Sequence, residues 1–178
     1  MNSQKKKAIL KEVISYVITF AVALAVGLFI NRFIIASIHV PTGSMESTIM
    51  PGDRLFGNRL AYINSDPQRG DIVVFPFPDN EEETYIKRII GLPGETVNII
   101  DGKVYINDSE EPLDEPYVKE TPYGSYGPFE VPEGCYFMLG DNRNDSLDSR
   151  FWKNPYVERD KIQSKALCVY FPSPRILN

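Results

Sequence analysis

The sequence predicts a mostly β protein, a single N-terminal transmembrane helix followed by a compact, mainly antiparallel β-sheet domain. Three observations lead there. An apolar run near the N-terminus carries no charge from Val13 to Ile30, the chain beyond it breaks into short β-type runs, and Gly, Pro, Asp and Asn separate those runs. At 178 residues the chain fits one ordinary domain with room for a hydrophobic segment outside the core.

The elements follow in order. Ser15, Tyr16 and Thr19 are the only polar interruptions of the first run, which resumes from Phe33 to Ile38 after Asn31 and Arg32. At roughly 1.5 Å per residue, a helix over Val13 to about Ala36 crosses a hydrocarbon core of about 30 Å. Lys5, Lys6, Lys7 and Lys11 precede it and only Arg32 lies near its far end, so the positive-inside rule predicts a cytoplasmic N-terminus. The expected division is therefore a cytoplasmic tail at 1–12, an anchor at 13–36 and an extracytoplasmic domain at 37–178. A cleavable signal peptide is the competing reading, since "ALAVG" from Ala23 offers small residues at cleavage spacing; the apolar run is longer than such segments need.

Beyond the anchor, "RLFGNRLAY", "DIVVFPF", "TYIKRII", "ETVNII", "KVYIN", "CYFML" and "ALCVYF" read as strands. Asp101-Gly102 marks a two-residue hairpin, because both central positions of that turn want positive φ. A short helical turn is expected after Ser44. Residues 107–133 are acidic and interrupted by Pro and Gly, which disfavours regular structure, so they read as an ordered surface excursion, with a flexible flap as the alternative.

Charge and cysteines exclude several functions. From Ile38 onward 14 Lys and Arg stand against 23 Asp and Glu, a net charge of −9, which gains nothing from nucleic-acid phosphates. Cys135 and Cys168 are the only cysteines, in no CxxC pattern. They would bridge if "CYFML" and "ALCVY" were neighbours, and otherwise are small buried hydrophobes.

Three stretches could carry chemistry. In "HVPTGSMESTIM" (39–50) a serine is displayed on a turn-rich loop; a serine needs a base within hydrogen-bond reach, and His39, the only histidine, precedes Ser44 in an extended Pro-containing segment that makes reaching back awkward. Taken alone, Ser44 equally caps a helical turn. In "YIKRIIG" (85–91) a strand puts Tyr85, Lys87 and Ile89 on one face; a lysine between them is partly desolvated, which lowers its pKa toward a neutral amine, although a snorkelling edge lysine is the commoner role. In "GDNRNDSLDSR" (140–150) the spacing lacks an EF-hand's central Gly and final Glu, and two arginines repel a cation, so no metal is expected. Asp141, Asp148, Arg143 and Arg150 are expected to pair among themselves and fix Ser146.

Together these stretches resemble the type I signal peptidases, membrane-anchored enzymes that remove signal peptides from exported proteins. "PTGSM" (41–45) is similar to the nucleophile motif, "RGDIVVF" (69–75) to a structural motif, "YIKRIIGLPGE" (85–95) to the general-base motif, and "GDNRNDSLDSR" to the last. The resemblance implies Ser44 as nucleophile, Lys87 as general base, Ser146 orienting the lysine, and an oxyanion hole of the Ser44 N–H and the Thr42 hydroxyl. It makes Asp141, Arg143, Asp148 and Arg150 structural supports, and Val40, Met45, Ile49 and Tyr85 a pocket for small side chains such as Ala one and three residues before the cut. It implies no cofactor and no metal, with signal peptides of exported preproteins and the lipid bilayer as partners; oligomeric state stays open. Ser47 stands where relatives usually have proline, which predicts a less rigid turn. The compact length resembles enzymes of Gram-positive bacteria, where the domain faces outward from the cell membrane.

Independently, Ala36 to Ser44 spans at most about 28 Å at about 3.5 Å per residue, so the hydroxyl is tethered near the bilayer from which a cleavage site emerges. "FPFP" (75–78) either dips into the interface or packs in the core. From another class, the alternative is a membrane-tethered, non-catalytic binding domain. A self-cleaving regulator of the Ser-Lys type would need a DNA-binding helical module.

Overall fold

The structure, a computed structural model, describes residues 3–177 and separates into two units, Met1–Ile35 and Ala36–Asn178. Helix α1 (Ser3–Phe33) makes up most of the first. Its stretch Ile9–Phe33 is long and apolar enough to cross a membrane by length and composition, and none of it is buried. The helix stops short of the expected Ala36. Its last bond runs from the Ile34 N–H to the Ile30 carbonyl, and the β-branched pair Ile34-Ile35 then leads into an extended strand.

The second unit is almost entirely antiparallel sheet. Its strands are β1 (Ile35–His39), β2 (Arg54–Asn58), β3 (Ile72–Phe77), β4 (Asn80–Gly91), β5 (Thr96–Ile100), β6 (Lys103–Ile106), β7 (Tyr126–Glu130), β8 (Cys135–Leu139), β9 (Tyr156–Glu158), β10 (Ser164–Phe171) and β11 (Arg175–Ile176). The larger sheet runs β1-β2-β10-β3-β4-β8-β9, with β11 on β10; the smaller runs β6-β5-β7. Central position explains β3: Ile72, Val73, Val74 and Phe75 are all buried, because a strand covered on both faces is apolar at successive positions.

The two faces of the large sheet separate cleanly. Val40, Met45, Ile49, Leu55, Val74 and Ile86 pack on one, and Val73, Phe75, Ile89, Tyr136, Met138 and Trp152 on the other. A third cluster, including Ile90, Val97, Ile99, Phe137 and Leu139, joins the small sheet to the end of the large one. Each fully buried aliphatic side chain contributes about 1.5–3 kcal/mol.

Strand β4 is the element that positions the site. It pairs with β3 from Asn80 to Arg88, with Val73 opposite Lys87, but with β8 only from Arg88 to Gly91. Along residues 80–87, therefore, its second edge has no strand neighbour among the described residues. Lys87 stands at the end of that open edge.

The β5–β6 turn has the expected form, with φ of +48° at Asp101 and +78° at Gly102. Other expectations need correction. "RLFGNRLAY" is strand only to Asn58 and then turns, the Asn58 side chain accepting from the Leu60 N–H. The excursion at 107–133 is ordered but contains β7, which completes the small sheet by pairing with β5. "CYFML" lies between β4 and β9 while "ALCVYF" lies among β2, β3 and β11, so the cysteines are on separate strands and both are free thiols. Of "FPFP" only Phe75 is fully buried in the core; Pro76, Phe77 and Pro78 are half-buried, and Phe77 stacks on Tyr85 with ring centroids 4.5 Å apart.

Candidate active site

Ser44 sits on a tight turn pinned from beneath. The Glu46 N–H donates to the Gly43 carbonyl at 2.9 Å and the Ile49 N–H to the Met45 carbonyl at 2.8 Å, which is one helical turn, as expected. Met45 and Ile49, one turn apart, are both fully buried in the sheet core. They thus anchor the Ser44 turn in the core and, contrary to expectation, are not among the residues that line the cavity beside Ser44. Val40 and Tyr85 do line that cavity of about 770 Å³, together with Thr42, Ser44, Val74, Ile86 and Lys87.

Gly43 is not in the left-handed region. A Cβ there would meet only the flexible carboxylate tip of Glu46, at 2.5 Å. The left-handed residue is Ser47, with φ +76°. Proline, held near −65°, cannot take that conformation. Ser47 Oγ also donates to the Tyr117 carbonyl at 2.9 Å, so the turn is tied to another segment.

Lys87 meets Ser44. The amine nitrogen donates to Ser44 Oγ at 2.6 Å, with Lys87 only 3% and Ser44 9% exposed. Tyr85 flanks the amine, its ring centroid 5.3 Å away. Burial pulls the Lys87 pKa down to about 8, against the opposing pull of Asp148 and Asp141. Exposed His39 makes no hydrogen bond to Ser44. Thr42 is exposed on the cavity wall, and among the described residues neither its hydroxyl nor the Ser44 N–H is engaged in a hydrogen bond.

The 140–150 loop is wired differently from the expected self-paired set. Asp148 does pair with Arg150, at 2.8 Å, and accepts from the Gly140 N–H at 3.0 Å. Asp141 instead accepts from Arg88 through both oxygens, at 2.9 and 2.7 Å, and from the Thr48 hydroxyl at 2.5 Å. Arg143 reaches the Gly140 carbonyl and a carboxylate outside the loop, that of Glu115. Loop and Ser44 turn are joined directly: the Asn142 N–H donates to the Ser44 carbonyl at 3.1 Å, and its amide to the Gly43 carbonyl at 2.9 Å. Gly140 is required by closeness, since a Cβ there would lie 2.2 Å from Ser146 Oγ and 2.4 Å from the Ser44 carbonyl oxygen.

The Ser146 hydroxyl is buried beside Gly140 without a hydrogen-bond partner, so the expected bond to the Lys87 amine is not formed in this structure. Arg88, Glu115, Asn142 and Thr48 escaped the sequence reading. Strand alternation could have flagged Arg88, which faces away from Lys87; nothing near Glu115 in sequence points to Arg143. The "RGDIVVF" stretch is structural, with Arg69 on Glu95 at 2.5 Å and Asp71 accepting from Tyr62 at 2.8 Å.

Residues 13–171 match the family described as signal peptidase, peptidase S26. The chain belongs to that family. Among its relatives, a probable signal peptidase I-2 of Synechocystis sp. is 42% identical over 149 residues, 81% of this chain and 66% of its own length. A signal peptidase I of Leptolyngbya laminosa is 39% identical, covering 81% of this chain and 72% of its own. The chain thus spans about two thirds of the length of the first and somewhat more of the second. A crystal structure of a signal peptidase I from Enterococcus faecalis V583 aligns at 36% identity over 57% of this chain and 97% of its own, with a TM-score of 0.49. This member of the family combines an N-terminal apolar helix with a mostly β second unit.

Proposed function

We propose that the chain is a membrane-anchored serine endopeptidase that removes N-terminal signal peptides from exported preproteins, cutting after small residues, with Ser44 as nucleophile and Lys87 as general base. The observation that carries this reading is the buried contact of 2.6 Å between the Lys87 amine and Ser44 Oγ at the wall of the cavity. When the amine loses its proton the bond reverses: the hydroxyl donates to the nitrogen lone pair, passes its proton on, and attacks the peptide carbonyl; as the tetrahedral adduct collapses, the lysine ammonium returns that proton to the scissile nitrogen, the C–N bond breaks and the mature protein leaves with a free amino terminus. The acyl-enzyme ester is then hydrolysed by water that the same lysine activates. No metal or organic cofactor enters these steps.

The surroundings fit each step. The free edge of β4 offers backbone groups to which an extended peptide adds as a strand. Alternate side chains of such a peptide share one face, so those one and three residues before the cut enter together, against Val40, Val74 and Ile86. The Ser44 N–H and Thr42 hydroxyl are the oxyanion donors in this reading. Ser146 orients the amine once its unpartnered hydroxyl turns toward Lys87. Asp141, Arg143, Asp148 and Arg150 support the loop without entering the chemistry. The anchor is proposed to hold the N-terminus in the cytoplasm and the β unit outside the cell membrane.

The test is cleavage of a preprotein by the full chain in detergent, beside Ser44→Ala and Lys87→Ala. Wild type should cut at the signal-peptide junction and both variants should lose about 10³-fold or more in kcat. Equal cleavage by all three would remove the catalytic reading and favour the tethered binding domain.

A further inference from the structure

The segment between β6 and β7 joins two strands that both pair with β5. Crossing two strand spacings of about 4.8 Å takes only a few residues, yet the connection runs from 107 to 125. Long ordered loops usually do something. This one reaches three separate parts of the site. Glu115 takes the Arg143 guanidinium through both oxygens. The Tyr117 carbonyl accepts from Ser47, three residues after the nucleophile, and the Tyr117 ring lies 3.9 Å from the Arg88 guanidinium carbon. Glu120 accepts from the Asn144 N–H and side-chain amide, both at 2.8 Å. Tyr117 in turn donates to Glu115 at 2.8 Å, which makes the contacts one unit.

Charge balance singles out Glu115. Arg143 is 3% exposed, and a buried guanidinium must have a counter-ion. The two buried carboxylates of its own loop are taken, Asp141 by Arg88 and Asp148 by Arg150. Glu115 supplies the remaining one. We propose that residues 115–121 form a strap that sets the Ser44 turn and the 140–150 loop in register, with Glu115 and Ser47 as positioning residues for the Ser44–Lys87 pair. This rests on the catalytic reading above. Ser47 then holds the turn by a hydrogen bond across to the strap.

The experiment measures kcat, KM and the acid limb of kcat/KM for the full chain in detergent on a preprotein, in wild type, Glu115→Gln, Glu115→Asp and Ser47→Gly. Glu115→Gln should lower kcat by about tenfold or more with KM little changed. Its acid limb should move to lower pH, because Arg143 left without its partner turns toward Asp141 and Asp148, the two carboxylates whose field raises the Lys87 pKa. Glu115→Asp should recover most of the rate. Ser47→Gly keeps a residue at ease at φ +76° and removes only the tie, so it tests the strap even if Glu115→Gln does not fold; kcat should fall several-fold. An unchanged kcat in Ser47→Gly, or a Glu115→Gln loss confined to KM or without movement of the limb, overturns the strap. Failure of wild type to cleave at all would instead overturn the catalytic reading.

Discussion

Lys87 shows how much one side chain's surroundings decide. Burial lowers its pKa to about 8, so in the proposed mechanism the working, neutral form dominates only above that value. kcat/KM should fall about tenfold per pH unit below about 8, and a profile flat down to pH 5 would contradict a lysine base. The same shift bears on stability with a definite sign. The folded value lies below that of an unfolded lysine, so between about 8 and the ordinary lysine range the unfolded chain holds more protons and stability rises with pH; below about 8 the full penalty applies. Lys87→Met should therefore raise stability by roughly 1–3 kcal/mol at pH 7 while abolishing cleavage, as thermal unfolding would show. A melting temperature at or below wild type would go against it. That Lys87 shares a face with Tyr85 and Ile89 was legible from strand alternation alone. That Ser44 would be its hydrogen-bond partner came only from the resemblance, since no local pattern relates residues on separate elements.

At the scale of elements, local rules worked where local physics decides. The Asp101-Gly102 turn was readable because a two-residue hairpin demands positive φ at both positions. A Cβ on Gly102 would also lie 2.2 Å from the Pro122 carbonyl oxygen, so Gly102→Ala should cost about 2 kcal/mol in thermal or denaturant unfolding. Gly140→Ala should act on rate more than on stability. Its new methyl must displace the Ser44 carbonyl or Ser146, and kcat should fall about 100-fold in a preprotein assay. Local rules failed where partners set the outcome. Strand β7 was hidden in a Pro- and Gly-rich stretch, because its pairing with β5 outweighs weak propensity. Met45 and Ile49 were pocket residues only by the resemblance; their spacing of one helical turn fits the buried anchor that they form.

On the scale of the whole molecule, the site is held by charges drawn from distant sequence. Arg88 of β4 and Asp141 of the last motif are both almost completely buried, and their pairing ties two motifs together. Removing Asp141 takes the bidentate carboxylate away from a buried guanidinium, so Asp141→Ala should cost about 3–5 kcal/mol and show as a matching loss of unfolding free energy. An effect below about 1 kcal/mol would mean that the loop does not depend on this pair.

The sequence by itself determined the apolar character of the N-terminal helix, the strand-rich character of the rest, and which residues carry reactive groups, because these depend on composition and on periods of 3.6 and 2 residues. The tertiary structure decided who meets whom. It gave Asp141 to Arg88 and Arg143 to Glu115, placed Met45 and Ile49 in the core, and put the cysteines on strands that are not neighbours. Pairing of buried charges is settled by which backbones pass within about 3 Å of one another, and that is a property of strand order and register that no short stretch of residues encodes.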